Sequence, residues 1–140
     1  MNAPETGFVL DPRLEGDTAH VADLAFCRVL LMNDVRFPWL ILVPRREGLA
    51  EFIDLAPEER ARLAGEIDAA SWALKDETTC DKLNVAALGN IVRQLHVHVV
   101  ARFKKDAAWP GPVWGFGAAT PYKAEEIADL SARIRSRLAI

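Results

Sequence analysis

The chain has 140 residues, 51% of them hydrophobic and 26% charged, which suits one globular domain with a real core and leaves little room for a second. Its formal net charge of -3 excludes the broad basic surface that a nucleic-acid polymer needs, so a small anionic ligand must be met by local donors. The strongest apolar run, Trp39-Leu40-Ile41-Leu42-Val43, is strand-length and too short to cross a bilayer.

Met1-Asn2-Ala3-Pro4-Glu5-Thr6-Gly7 has neither the basic nor the apolar region of a signal peptide. Cys27 and Cys80 are the only cysteines. Two thiols without metal-like spacing fit a reducing cytoplasm and read as small buried hydrophobes.

In chain order, residues 1–20 carry Pro4, Gly7, Pro12 and Gly16 and read as irregular, with at most a short strand near Phe8-Val9-Leu10. Phe26 to Met32 reads as a strand ended by Asn33-Asp34, and Pro38 opens a second strand from Trp39 to Pro44. The short link predicts a hairpin. Pro57-Glu58-Glu59 places a proline and two acids at the start of a helix, where both are favoured. Leu63, Ile67, Ala70 and Leu74 then form one apolar stripe to about residue 76, although Ala56 is a poor N-cap. Asp81 to Leu88 reads as a third strand, Gly89-Asn90 as a turn, and Val92 to Phe103 as a longer fourth strand.

Trp109-Pro110-Gly111-Pro112-Val113-Trp114-Gly115-Phe116-Gly117 cannot be regular structure, yet its aromatics need burial. It is expected to be an ordered loop packed on the body or on a partner chain. Thr120-Pro121 caps a last helix, about 121–139, with the stripe Ile127, Leu130, Ile134 and Leu138 and with Arg133, Arg135 and Arg137 toward its end, where cations suit the helix dipole. The sum is a single α+β domain over 1–140: an antiparallel sheet of about five strands, one long helix and a C-terminal helix.

Alternate residues of a strand share a face. Gln94, His96, His98 and Val100 therefore point one way, and Leu95, Val97 and Val99 the other. Same-face neighbours stand roughly 6–7 Å apart, a spacing that lets two imidazoles grip adjacent groups of one substrate. One histidine can attack phosphorus while the other donates to a phosphate oxygen or leaving group. A nucleophilic histidine needs its second nitrogen held by an acceptor. The alternation by itself also fits a solvent-facing strand, or part of a zinc or iron site in need of further ligands. His20 is the only other histidine.

The stretch Gln94-Leu95-His96-Val97-His98-Val99-Val100 resembles the histidine triad (HIT) motif, His-φ-His-φ-His-φ-φ with φ apolar, at every position except the first. Gly89-Asn90, Asn84, the paired segments Phe26–Asn33 and Trp39–Pro44, and Trp109-Pro110-Gly111-Pro112 extend the resemblance over about residues 24–115. It implies a HIT-like fold, a homodimer, a nucleotide substrate, no metal or other cofactor, and a nucleotidyl-histidine intermediate that water hydrolyses. Carried over by position, His96 is the nucleophile and His98 a phosphate or leaving-group contact. Gln94, Asn90 and Asn84 would bind phosphate, and Asn33 the ribose hydroxyls.

Two positions depart from the pattern. Gln94 replaces the first histidine and cannot carry a proton as imidazolium does. Trp39 stands where many members have a histidine. Efficient hydrolysis and nucleotide binding with little turnover therefore both remain open. Arg93 should face away from His96, and Trp72 and Trp109 read as core or dimer packing before base stacking.

Overall fold

The computed structural model describes residues 7–138. Three helices, α1 (Pro12–Asp17), α2 (Pro57–Thr78) and α3 (Ala124–Arg137), accompany five strands: β1 (Thr18–Asp23), β2 (Cys27–Met32), β3 (Trp39–Pro44), β4 (Lys82–Ala86) and β5 (Val97–Arg102). The strands form one sheet in the order β1-β2-β3-β5-β4, antiparallel throughout. The architecture is the expected α+β. No helix among the described residues is long and apolar enough to cross a membrane.

The central strands β3 and β5 are buried at every position, which is why β3 reads as an unbroken apolar run. Their two faces serve different layers. Leu40 and Leu42 of β3 and Val97, Val99 and Ala101 of β5 join Leu63, Ala70 and Leu74 of α2 and Leu130 and Ile134 of α3 in the main core. Trp39, Ile41, Val43 and Val100 face the other way, onto Leu14 of α1 and Ala108 and Val113 of the long loop. Register places Ile41 opposite His98 and Trp39 opposite Val100, so His98 belongs to this second face. Cys27 is wholly buried, and burial pushes its thiol far above the ordinary range.

The predicted stripes of α2 and α3 are the buried ones. Although Ala56 offers no cap, the Glu59 carboxylate reaches back to accept from the Ala56 N–H at 2.8 Å, supplying one half of a capping box. The N-terminal reading needs correction. Residues 8–10 form no strand; instead Asp11 caps α1 by accepting from the Arg13 N–H at 2.8 Å, Pro12 opens the helix, and Thr18–Asp23 is the missing strand. Asp-Pro followed by Arg-Leu-Glu is a helix start that neighbouring glycines obscured. The fourth predicted strand also begins late, at Val97: Leu42–Val97 is the last pair with β3, and the Leu95 N–H turns to the Leu49 carbonyl. The last helix starts at Ala124 rather than 121. Its expected end at 139, and the reading of Met1–Thr6, fall outside the described residues.

The hairpin link at Asn33–Phe37 gathers both ends of the chain. The Asn33 N–H donates to the Asp17 carbonyl, and the Val35 N–H to that of Thr120. The Asp34 carboxylate, 1% exposed, accepts from Arg36 and from the Thr120 N–H.

Candidate active site

β5 and the five residues before it carry the candidate chemistry. His96 and His98 are 6% and 5% exposed, with ring centroids 4.9 Å apart. Each ring is fixed by a partner that settles its proton. His96 Nδ1 lies 2.7 Å from the Gln94 carbonyl oxygen. A carbonyl only accepts, so Nδ1 carries the hydrogen and Nε2 keeps its lone pair. The Trp39 indole Nε1–H lies 2.9 Å from His98 Nδ1. An indole only donates, so His98 Nδ1 accepts and its hydrogen sits on Nε2. Burial, reinforced by the neighbouring His96, holds the His98 pKa at about 3. His98 is therefore a neutral donor, and Trp114 packs edge-on against it with centroids 5.3 Å apart.

Both rings open on a cleft of about 510 Å³. Its floor is Trp39, Ile41 and His98. One wall is the loop from Leu88 to Val92, another is α1 with Arg13, Leu14 and Asp17, and Trp114 and Gly115 close the end. Gly89, at φ +80°, turns the loop so that Asn90 reaches the cleft, a conformation that favours glycine. Behind Gly89 a smaller pocket of about 190 Å³, lined by Glu51, Phe52 and Gln94, also touches His96.

The structure brings His96, His98 and Asn90 together and places the other expected contacts elsewhere. Gln94 lies before the strand, not in it. Its Oε1 accepts from the Asp11 N–H at 2.9 Å, and its Nε2 donates to the Val9 carbonyl at 2.9 Å, so the side chain expected at phosphate bonds the N-terminal segment. Asn84 shares the sheet face of His98 but is drawn away, with Oδ1 accepting from Arg102 Nη1 at 2.8 Å. Arg102, 2% exposed, also holds the Asp106 carboxylate at 2.8 Å and the Gly111 carbonyl at 2.8 Å, which anchors the long loop carrying Trp114. Asn33, expected at the ribose, accepts at Oδ1 from the Tyr122 N–H at 2.9 Å. Neither Asn33 nor Asn84 lines the cleft.

Arg93 is exposed and outside the cleft, as alternation requires. Trp72 is 62% exposed on α2, and Trp109 lies under Arg102. Sequence reasoning missed Arg13, Asp17 and the bond from Trp39. The Asp11-Pro12 helix start signals the first two. The hairpin makes the third reachable, since β3 must pair with the histidine strand for Trp39 to meet His98. Among the described residues no group of three His, Cys, Asp or Glu side chains is arranged to hold a metal ion.

Comparison with known proteins gives the same picture. Residues 13–105 match the HIT domain model. A histidine triad protein from Sinorhizobium meliloti is 50% identical, with a TM-score of 0.92 over 94% of this chain and 98% of that one. Histidine triad proteins from Bradyrhizobium japonicum (46% identical, TM-score 0.91, 94% and 98% covered) and Marinobacter aquaeolei (45%, 0.91, 94% and 96%) superpose equally well. No match is found among curated proteins. The motif, the fold and the match across most of the chain agree: this protein belongs to the histidine triad family.

Proposed function

We propose that the protein is a nucleotidyl hydrolase that cleaves a phosphorus–nitrogen or phosphorus–oxygen bond of a nucleotide through a covalent intermediate on His96. Candidate substrates are nucleoside phosphoramidates, dinucleoside polyphosphates and related nucleotides. The observation that carries this reading is the complementary pair of tautomers. His96 presents a lone pair on Nε2, and His98 presents an N–H on Nε2, both at one cleft.

The step follows from those atoms. His96 Nε2 attacks the α-phosphorus, a P–N bond forms, and the bond to the leaving group breaks with its electron pair going to the departing atom. The Gln94 carbonyl holds Nδ1–H and steadies the positive charge that the phosphorylated ring acquires. His98 Nε2–H donates to a non-bridging phosphate oxygen, where charge collects in the transition state. Asn90 supplies a second donor at the same end. Water then attacks phosphorus from the open side and gives up a proton to solvent, the P–N bond breaks with its electron pair returning to His96 Nε2, and the nucleoside monophosphate leaves. Met32, Leu88, Ile91 and Val92 give the cleft an apolar flank suited to a nucleobase.

Gln94 stands at the first histidine position of the motif. Its side chain is committed to the N-terminal segment, so turnover rests on the two remaining histidines. We read the protein as a homodimer as well: edge strand β4 exposes Val85, and α2 exposes Trp72, an apolar margin beside an unpaired strand.

The test is His96→Ala. The variant is expected to release no AMP from an adenosine phosphoramidate or a diadenosine polyphosphate while still binding AMP in calorimetry. Wild-type protein that turns over neither substrate, and traps no phosphohistidine, refutes the reading.

A further inference from the structure

The residues around His96 leave one requirement of the reaction unmet. A leaving amine departs with an electron pair on nitrogen and must gain a proton. His98 cannot supply one repeatedly. Surrendering its Nε2 hydrogen would leave an imidazolate, because Nδ1 is already occupied by the Trp39 N–H. The Gln94 amide has no proton to give. A leaving phosphate needs no proton, because its oxygen departs as an anion; it needs a cation.

Among the described residues the cleft has one cationic side chain. Arg13 lines it from α1, and its guanidinium makes no hydrogen bond or ion pair with any described residue. Asp17, one turn on, is acidic and repels phosphate. Arg13 reaches the cleft because the segment before it is tied down by Gln94, two residues ahead of His96. Gln94 Oε1 takes the Asp11 N–H, Gln94 Nε2 reaches the Val9 carbonyl, and Asp11 in turn caps the helix by accepting from the Arg13 N–H. Two hydrogen bonds from a single side chain thus fix where α1 begins. The residue that took the place of a histidine holds the arm that delivers a positive charge.

We propose that Arg13, carried into the cleft on an arm latched by Gln94, binds the departing phosphate, so that the protein prefers nucleotides whose leaving group is a phosphate anion over those that release an amine. This rests on the hydrolase reading above. Arg13 contacts the substrate; Gln94 is a positioning residue that acts through it. His96 Nε2 forms the new P–N bond, the bridging P–O bond breaks, and its electron pair leaves on the phosphate oxygen facing Arg13.

The experiment compares kcat/KM for AMP release from diadenosine tetraphosphate and from an alkylamine phosphoramidate of AMP. Wild type is expected to favour the tetraphosphate. In Arg13→Ala the ratio of the two should fall about tenfold or more, the effect of one charge-assisted hydrogen bond, and Arg13→Lys should recover part of it. Gln94→Ala should shift the ratio in the same direction, and the double variant should lose no more than Arg13→Ala alone, the non-additivity of residues acting as a unit. Hydrogen exchange over residues 9–17 should rise in Gln94→Ala. A ratio untouched by Arg13→Ala, additive losses in the double variant, a wild-type preference for the phosphoramidate, or unchanged exchange in the arm each overturn the proposal while leaving the hydrolase reading intact. Release of AMP from neither substrate removes that reading, and the Arg13 contact with it.

Discussion

Replacing Trp39 by phenylalanine removes one N–H donor and keeps an aromatic ring on the floor of the cleft. The His98 Nδ1 acceptor, buried and bonded at 2.9 Å, is then left without a partner. An unsatisfied buried acceptor costs about 1–3 kcal/mol, and the smaller ring leaves a void costing about 1 kcal/mol more. The expected loss of stability is about 2–4 kcal/mol, read as a lower urea midpoint with an unchanged m-value. The chemical effect is separate. Without the indole, His98 can carry its hydrogen on either nitrogen, and the ring can turn. The donor that faces phosphate is then present only part of the time, and kcat should fall about tenfold while KM moves little. Nitrogen NMR of the imidazoles reads the cause directly. Wild-type His98 should show a protonated Nε2 and a bare Nδ1, and Trp39→Phe an average of the two tautomers. Unchanged His98 nitrogen shifts and an unchanged kcat in the variant would refute the assignment of Trp39 as the group that sets the tautomer.

The pH dependence of stability should carry the mark of His98. In the unfolded chain it protonates near its ordinary 6.5, whereas in the fold it resists protonation down to about 3. Its contribution is therefore complete above pH 6.5 and is lost as pH falls from there toward 3, amounting to about 2 kcal/mol by pH 5. Urea titrations at pH 7.5 and 5 should show this loss in wild type and a smaller one in His98→Gln; equal losses would contradict it. At the loop, burial opposes ionisation of Asp106, but Arg102 and the N–H groups of Phe103 and Trp109 outweigh it and hold the carboxyl at about 2. Arg102→Met would leave that buried carboxylate without its countercharge and should cost about 3–5 kcal/mol in chemical denaturation. Because the same arginine anchors the loop that carries Trp114, KM for nucleotide should rise as well.

The parts of this molecule that were legible are those in which local pattern and tertiary packing agree. The stripes of α2 and α3, the β2–β3 hairpin and the apolar run of β3 all follow from burial periodicity. The histidines were legible because a motif names them, and Asn90 because the same resemblance places a glycine and an amide just before the histidine strand. The hydrogen-bond partners of the other amides were not. Asn33, Asn84 and Gln94 each found a hydrogen-bond partner inside the fold, at Tyr122, Arg102 and the Val9–Asp11 backbone. Sequence separations of 89, 18 and 83–85 residues put those partners beyond any local rule. An amide that can both donate and accept takes whichever backbone the fold brings near it. Alternation itself holds back to Leu95, which joins the main core while His96 faces the cleft; what the face rule does not give is the partner that the Gln94 amide takes. The acceptor for His96 Nδ1 was anticipated as a need, and it proves to be the Gln94 backbone carbonyl.

The link at Asn33–Phe37 has a consequence for how the chain comes to be folded during synthesis. Its hydrogen-bond partners are Asp17, behind it, and Thr120 and Tyr122, near the far end. Thr120 and Tyr122 lie 86 and 89 residues beyond Asp34 and Asn33, the side chains they bond, so the hairpin is made long before the groups that complete it. Until then the Asp34 carboxylate has only Arg36 for company, and the Asn33 amide and the Val35 N–H are open to water. A strong β2–β3 hairpin can form early, but its closed end cannot be buried before the chain is nearly whole. The native state is thus sealed by its last quarter, and a chain that stops short of Thr120 would hold a sheet whose turn is still wet.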